Sequence, residues 1–190
     1  MLPASDVPLF SLGVDPGWRN LGWALVMEAE EPGKVTVVDA KHLNPSTYHH
    51  PSGAVAETLK KVDSSIPFSG CLRHIRIERY VSYGSVRSTE TESITEIIGM
   101  FRYALWENYG GKVDTSLLRA IEWKTTLVKL LSRHYGFSNP SKKMELDKKF
   151  SIGAAKFVTT NPEVITNDHI ADAICLAALP ILQRSTETMV

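Results

Sequence analysis

The chain has 190 residues, of which 43% are hydrophobic and 22% are charged, and its formal net charge is +0. This length and composition predict one ordinary globular domain with a substantial core. No apolar run is long enough to cross a bilayer, and the first eight residues lack the basic start and apolar segment of a secretory signal. We therefore expect no membrane partner and a cytoplasmic location, in a bacterium, a phage-infected host or an organellar matrix.

The charge is unevenly distributed along the chain. A net charge of zero argues against a protein that binds nucleic acid over its whole surface. Residues 123–158, however, contain eight basic and two acidic side chains, a net charge of +6. A neutral chain with such a segment can still present one strongly basic face.

The first half of the chain predicts a meander of strands followed by an alternation of helix and strand. Residues 1–9 are expected to form a loose tail, and residues 44–53, rich in Pro, Ser and His, a loop. Apolar alternation and spacing predict strands at 10–15, 20–28, 34–43 and 72–80, and helices at 54–62 and 88–108.

The second half predicts one more strand and three helices. The strand is expected at 113–121 and the helices at 122–135, 142–158 and 168–184, with a short tail at 185–190. The order of elements indicates a mixed α/β domain over 10–184, in which three antiparallel strands are followed by parallel strands and helices flank the sheet.

An Asp-Pro-Gly sequence ends the first predicted strand. Pro16 and Gly17 cannot easily continue a central strand, so Asp15 stands at its end. A carboxylate there needs a hydrogen bond, an ion pair or a metal, because an isolated buried charge is very costly. The same three residues are also an ordinary turn signal, so Asp15 alone does not identify a site.

Other acidic residues stand in comparable positions. Glu78 lies near the end of the predicted strand 72–80, as Asp15 does on the first strand. His169 and Asp172 are three residues apart at the start of the last helix, a spacing that puts both on one helix face. Asn167 or Asp168 is expected to cap that helix, and Asp168 also competes as a ligand.

Oxygen and nitrogen ligands from separate elements suit a hard divalent cation such as Mg²⁺ or Mn²⁺. Two such ions can activate a water and stabilise the leaving oxygen in phosphodiester hydrolysis. Asp15, Glu78, His169 and Asp172 are therefore candidates for a two-metal site.

Three motifs in this order resemble the RuvC-type Holliday-junction resolvases, which have the ribonuclease H-like fold. They are Gly13-Val14-Asp15-Pro16-Gly17 followed by Asn20-Leu21-Gly22, then Ile77-Glu78, then His169-Ile170-Ala171-Asp172-Ala173. The resemblance implies that Asp15 bridges two Mg²⁺ ions, which Mn²⁺ can replace, and that Glu78 and Asp172 complete their coordination. His169 would bind or orient one ion or hold the attacking water.

The same resemblance implies a homodimer that binds a four-way DNA junction and makes paired symmetric nicks. In that family an aromatic residue soon after the strand glutamate enters the junction centre, and Tyr80 and Tyr83 are the nearest candidates. The basic segment coincides with the DNA-contacting region of the family. The candidate DNA contacts are Arg79, Tyr80, Tyr83, Lys124, Lys142, Lys143, Lys148 and Lys149.

Other functions remain open at this point. A ribonuclease H-like enzyme that cuts RNA–DNA hybrids or other branched DNA would carry the same metal residues. An ATP-binding protein of the actin and sugar-kinase type also begins with a strand, an aspartate, a glycine and a returning strand, although it needs a second lobe. A relative that binds DNA without cutting it would be expected to lose the acids.

Overall fold

The computed structural model describes residues 7–67, 70–80, 88–138 and 148–187. Its strands are β1 (Leu9–Asp15), β2 (Leu21–Glu28), β3 (Val35–Leu43), β4 (Cys71–Arg79) and β5 (Asp114–Arg119). Its helices are α1 (Ser52–Ser65), α2 (Ser88–Tyr109), α3 (Ala120–Tyr135), α4 (Lys148–Val158) and α5 (Asp168–Glu187). Tyr83, Lys142 and Lys143, and the predicted start of the fourth helix, lie outside the described residues.

The five strands form one sheet in the order β3-β2-β1-β4-β5. β1 pairs antiparallel with β2, and β2 pairs antiparallel with β3. β4 and β5 then continue the sheet in parallel with β1. The predicted mixed sheet, three antiparallel strands followed by parallel ones, is confirmed.

Helices cover both faces of this sheet and divide the core into two layers. On one face α1 and α2 pack on a layer that includes Trp23, Ile77 and Phe101. On the other face α3, α4 and α5 pack on a layer that includes Trp123 and Phe150. α5 lies directly on the strands: ten of its residues from Ala173 to Leu182 are buried without interruption.

Two glycines allow α5 to approach the sheet so closely. A Cβ atom on Gly13 of β1 would lie 1.9 Å from the carbonyl oxygen of Ala173. A Cβ atom on Gly22 of β2 would lie 2.4 Å from the carbonyl oxygen of His169. Cβ atoms essentially never lie so close to another heavy atom. Only glycine at these two positions therefore lets the backbone of α5 lie on the strands.

The free edge of β3 is covered by the segment between α4 and α5. The side chain of Asn161 accepts a hydrogen bond from the amide of Val37 (3.0 Å) and donates one to its carbonyl (2.9 Å). Thr160 N–H donates to the carbonyl of Val35 at 3.0 Å. These bonds satisfy edge groups that would otherwise be open to another strand.

Several boundaries differ from the sequence prediction. β5 ends at Arg119, two residues before the predicted end, because the Arg119 amide donates to the Glu122 side chain (2.9 Å) and opens α3. α1 starts at Ser52, inside the predicted loop. α5 continues to Glu187, so the tail predicted from residue 185 begins as helix. No helix among the described residues is long and apolar enough to span a membrane.

Candidate functional site

The carboxyl end of β1 carries the first acidic residue of the site. Val14 pairs with Ile77 of the parallel neighbour β4, so the next residues, Asp15 and Glu78, end two adjacent strands side by side. Apolar side chains before each residue hold the strands in the core, and Pro16 and Gly17 turn the chain away. The sheet therefore positions two carboxylates at one edge.

The first turn of α5 lies over this edge and adds two residues. His169 Nδ1 lies 2.7 Å from Asp15 Oδ2, within hydrogen-bond distance. This bond raises the pKa of His169, and the negative charges of Asp168 and Asp172 act in the same direction. The imidazole is therefore held toward its charged form beside the carboxylates.

Asn167 is the residue that caps α5. Its side-chain oxygen accepts a hydrogen bond from the amide of Ile170 at 2.9 Å. The sequence left Asn167 and Asp168 open as the cap of this helix. The cap is Asn167, and Asp168 lies one position inside the helix. The negative charge of Asp168 helps to raise the pKa of His169. Burial lowers the pKa of His42, and the charge of Asp168 opposes that fall.

Glu78 is partly buried and held by a tryptophan. Trp123 Nε1–H, on α3, donates a hydrogen bond of 2.8 Å to Glu78 Oε2. Burial, together with the charges of Asp15 and Asp172, raises the pKa of Glu78 to about 7. The Trp123 hydrogen bond and the positive charge of Lys124 oppose that rise.

Asp172 faces a buried lysine across the site. Lys124 Nζ lies 3.5 Å from Asp172 Oδ1, within ion-pair range but without hydrogen-bond geometry. The pKa of Asp172 is raised to about 6, chiefly by burial and also by the charge of Asp15, while the charge of Lys124 opposes the rise. Among the described residues, no group donates a hydrogen bond to the buried Oδ1 atom.

The acidic residues fit a divalent cation by their chemistry. Three carboxylates from β1, β4 and α5 interact electrostatically around one buried ammonium, and Oδ1 of Asp172 has Lys124 within ion-pair range but receives no well-formed hydrogen bond from a described residue. Within the described residues, no three His, Cys, Asp or Glu side chains stand close enough to hold an ion as they are. Each carboxylate is turned instead toward a protein partner: His169, Trp123 or Lys124.

A cleft of about 330 Å³ opens onto the acids. Asp15, Glu78 and His169 line it together with the Pro16–Asn20 turn, Tyr80, and Glu90 and Ile94 of α2. The cleft is open to solvent, so an extended ligand could reach the carboxylates from outside.

The residues predicted to contact DNA are distributed differently. Tyr80 lines the cleft, Arg79 is exposed beside it, and Lys149 is exposed on α4. Lys124 is 8% exposed, and its ammonium faces Asp172 rather than the outer surface. Lys148 begins α4.

Sequence reasoning missed Trp123 and His42 as parts of this site. Trp123 stands on the apolar face of a predicted helix, where it is indistinguishable from a core residue. His42 lies opposite Gly22 in the β2–β3 register, and its ring stacks on that of His169. Counting residues from the predicted hairpin would not have found His42, because the β2–β3 register shifts between Leu25 and Val26.

The sequence matches no protein-family model and no curated protein. The structure is similar to Thermus thermophilus RuvC in complex with a Holliday junction substrate, with a TM-score of 0.65 at 15% identity, over 95% of this chain and 97% of that one. It is also similar to the yeast mitochondrial Holliday junction resolvase Ydc2, with a TM-score of 0.55 at 14% identity, over 96% and 81%.

A third similar structure is the fowlpox virus resolvase bound to Holliday junction DNA. Its TM-score is 0.52 at 14% identity, over 93% of this chain and 99% of that chain. These likenesses cover 93–96% of this chain and 81–99% of the matched chains, and they share the mixed sheet flanked by helices. The chain therefore has the ribonuclease H-like fold of the RuvC-type Holliday-junction resolvases.

Proposed function

We propose that this protein is a metal-dependent, structure-selective endodeoxyribonuclease that resolves four-way DNA junctions by paired symmetric nicks. The observation that carries the proposal is the convergence of Asp15, Glu78 and Asp172 from three separate elements. Such a concentration of negative charge in a partly buried site is costly unless cations join it. Lys124 and His169 carry at most two positive charges, which do not balance three carboxylates.

The chain's own groups define how cations would be held. Asp15, Glu78 and Asp172 supply hard oxygen ligands, which suit Mg²⁺ and also Mn²⁺, and His169 supplies nitrogen beside them. Two bound ions would activate the attacking water and stabilise the leaving oxygen of a phosphodiester. Trp123 holds Glu78 in place, and Lys124 adds a positive charge next to the position where a phosphate must arrive.

The acids alone do not specify the substrate, since hydrolysis of RNA–DNA hybrids needs the same chemistry. Support for a junction comes from the whole-chain likeness to three structures named as RuvC or as resolvases, two of them bound to junction DNA. Arg79 and Tyr80 beside the cleft, and Lys149 on α4, are proposed to contact the DNA, as are Tyr83, Lys142, Lys143 and Lys148.

Paired nicks require two active sites, so we propose a homodimer. Two large aromatic side chains on α2 are exposed to solvent: Tyr103 at 69% and Trp106 at 64%. Exposed aromatic residues of this size are typical of protein interfaces. We propose that this face of α2 contributes to the contact between the two copies.

The test is a cleavage assay in Mg²⁺ with a synthetic four-way junction, a linear duplex, a flap and an RNA–DNA hybrid. We expect paired symmetric nicks in the junction and little cutting of the others. Glu78→Gln keeps the acceptor for Trp123 and removes the charge, so it should bind the junction but not cut it.

Each arm of the assay bears on a different part of the proposal. If only the RNA–DNA hybrid is cut, the proposed metal site stands, but the proposed substrate is wrong. Undiminished cleavage by Glu78→Gln would refute the metal assignment. Junction binding by the wild-type protein with no cleavage of any substrate would refute the proposed activity and indicate a DNA-binding protein.

A further inference from the structure

We propose that His42 of β3 is a positioning residue, which fixes the imidazole of His169 against Asp15. The proposal rests on the proposed function of the site, and it assigns a role to a residue outside the acidic cluster. His42 itself touches neither the carboxylates nor the space between them.

The sheet brings His42 into line with the site. Asp15 pairs with Gly22, and Gly22 pairs with His42, so these residues form one row across β1, β2 and β3. Residues that pair across a sheet project to the same face. Because Gly22 has no side chain, the space between its two neighbours is open to the first turn of α5.

His169 occupies that space. Its ring stacks on the ring of His42 with centroids 5.6 Å apart and planes inclined by 19°. Gly22 lies beneath its backbone, and Asp15 Oδ2 lies at 2.7 Å from its Nδ1. The imidazole is thus confined by a flat ring and a carboxylate, while the backbone of His169 rests on Gly22.

A second contact fixes His42 in turn. His42 Nε2 lies 3.2 Å from Asn20 Oδ1, and Asn20 belongs to the turn that follows Asp15. Without that bond the His42 ring could rotate away, because the side chain is only half buried at the edge of the sheet. The turn that follows Asp15 therefore positions the His42 ring, and the His42 ring in turn positions His169.

The consequence concerns the two nitrogens of His169. With Nδ1 directed to Asp15, Nε2 is the nitrogen left for a metal ion or a substrate oxygen, as far as the described residues show. A contact that fixes the ring plane therefore fixes the direction of Nε2. Outer contacts of this kind orient catalytic and metal-binding histidines, and losing one typically costs about 10–100-fold in activity or affinity.

The experiment compares three variants with one control. His42→Ala removes the ring and the bond to Asn20. His42→Phe restores a flat ring without the bond, and Asn20→Ala keeps the ring and removes its partner. His134→Ala is the control: an exposed histidine at the far end of α3, about 15 Å along the helix from Lys124.

Two readouts are needed, and the first does not depend on activity. Nitrogen-15 NMR of the His169 ring in metal-free protein should show shifted Nδ1 and Nε2 signals in His42→Ala and unchanged signals in His134→Ala. The second is single-turnover junction cleavage at saturating DNA, which should fall about 10–100-fold in His42→Ala with unchanged junction affinity. His42→Phe and Asn20→Ala should fall between wild type and His42→Ala in both readouts.

The outcomes separate this inference from the proposed function. Unchanged His169 signals in His42→Ala would overturn the positioning role, whatever happens to cleavage. Shifted His169 signals together with full cleavage by His42→Ala would also overturn the positioning role, because cleavage would then not depend on the orientation of the His169 ring. If the wild-type protein cuts no junction, the proposed function fails, and the NMR result still decides whether His42 positions His169.

Discussion

At the scale of single residues, the site contains two acids whose pKa values the fold raises. Burial, together with neighbouring negative charge, raises the pKa of Glu78 to about 7 and that of Asp172 to about 6. Because ionisation of one of these groups hinders ionisation of the other, their protons leave in separate steps that belong to the pair. Such shifts are typical of functional sites, because they are maintained against stability.

The first prediction concerns Glu78 and stability. Its pKa in the folded protein lies above its ordinary value of 4.5, so the folded state binds this proton more tightly than the unfolded state. The stabilisation is complete below pH 4.5 and is lost as the pH rises through about 7. Glu78→Gln removes the charge and keeps an acceptor for Trp123, so it should stabilise metal-free protein at pH 8 by roughly 2 kcal/mol and much less at pH 4.5.

Thermal unfolding of wild type and Glu78→Gln at both pH values, in a chelator, checks this. Glu163→Gln, at an exposed glutamate, is the matched control and should change neither melting temperature. An equal effect of Glu78→Gln at the two pH values would contradict the raised pKa.

The second prediction concerns the bond between Trp123 and Glu78. Trp123→Phe keeps an aromatic ring in the core and removes the donor at 2.8 Å. Since that hydrogen bond lowers the pKa of Glu78, its loss should raise the pKa and move the acid limb of the cleavage-rate profile to higher pH. Hydrogen bonds to charged groups are worth about 1.5–3 kcal/mol, so cleavage near neutral pH should fall about tenfold or more.

A pH–rate profile of junction cleavage, measured under single-turnover conditions for both proteins, gives the answer. A uniform loss at every pH would mean that Trp123 acts through packing rather than through Glu78. Trp23→Phe, at a buried tryptophan on the opposite face of the sheet whose Nε1 makes no hydrogen bond to a described residue, is the matched control.

At the scale of elements, the decisive contact is that of α5 on β1 and β2. The helix carries His169 and Asp172 and lies on the strands at Gly13 and Gly22. The depth at which it packs sets the distance from its acids to Asp15 and Glu78. A single methyl group at the contact should therefore affect stability and site geometry together.

The third prediction uses two Gly→Ala substitutions. In Gly13→Ala the new methyl would lie 1.9 Å from the Ala173 carbonyl oxygen, so α5 must move. We expect a loss of about 3 kcal/mol or more in stability and a loss of cleavage. In Gly99→Ala, on the exposed face of α2, the methyl meets nothing within 4 Å, and we expect a gain of about 0.5–1 kcal/mol.

Denaturant unfolding of the two variants measures both effects. If Gly13→Ala and Gly99→Ala have similar free energies of unfolding, α5 can move away from the sheet without loss of stability. The close packing of Ala173 and Ala177 against Gly13 argues against that outcome.

At the scale of the whole molecule, each copy of the chain carries the cleft beside Asp15 and Glu78 and therefore one proposed cutting site within the described residues. Paired nicking requires two copies, and the exposed aromatic residues of α2 are the surface we assign to their contact. α2 also packs against α1 on the face of the sheet opposite α5, so a contact there would leave the acidic edge open to DNA.

The fourth prediction tests that surface. Trp106→Glu puts a charge at the centre of the proposed contact and should convert a dimer into a monomer of normal stability, because the side chain is exposed in the single chain. Val38→Glu, at an exposed apolar residue of β3, is the control and should leave the dimer intact. Light scattering with and without junction DNA measures the mass. A Trp106→Glu dimer would assign the contact to another surface.

The sequence by itself determined the order of the elements and the mixed sheet. Period-two and helical apolar patterns are local signals, and Pro16, Gly17 and the glycine pair at 110–111 end elements locally. The positions of Asp15 and Glu78 at strand ends follow from the same patterns. The sequence also identified the helix whose first turns carry His169 and Asp172. A spacing of three residues places both side chains on one helix face, which follows from the helical repeat alone.

Only the tertiary structure decided which side chains meet. Asn167 rather than Asp168 caps α5, because the hydrogen bond depends on the backbone direction at the helix start. Lys124 and Trp123 turned out to face the acids, and His42 to stack on His169, through contacts between residues 45 or more positions apart. Such contacts depend on strand register and helix packing depth, which no local pattern of residues encodes.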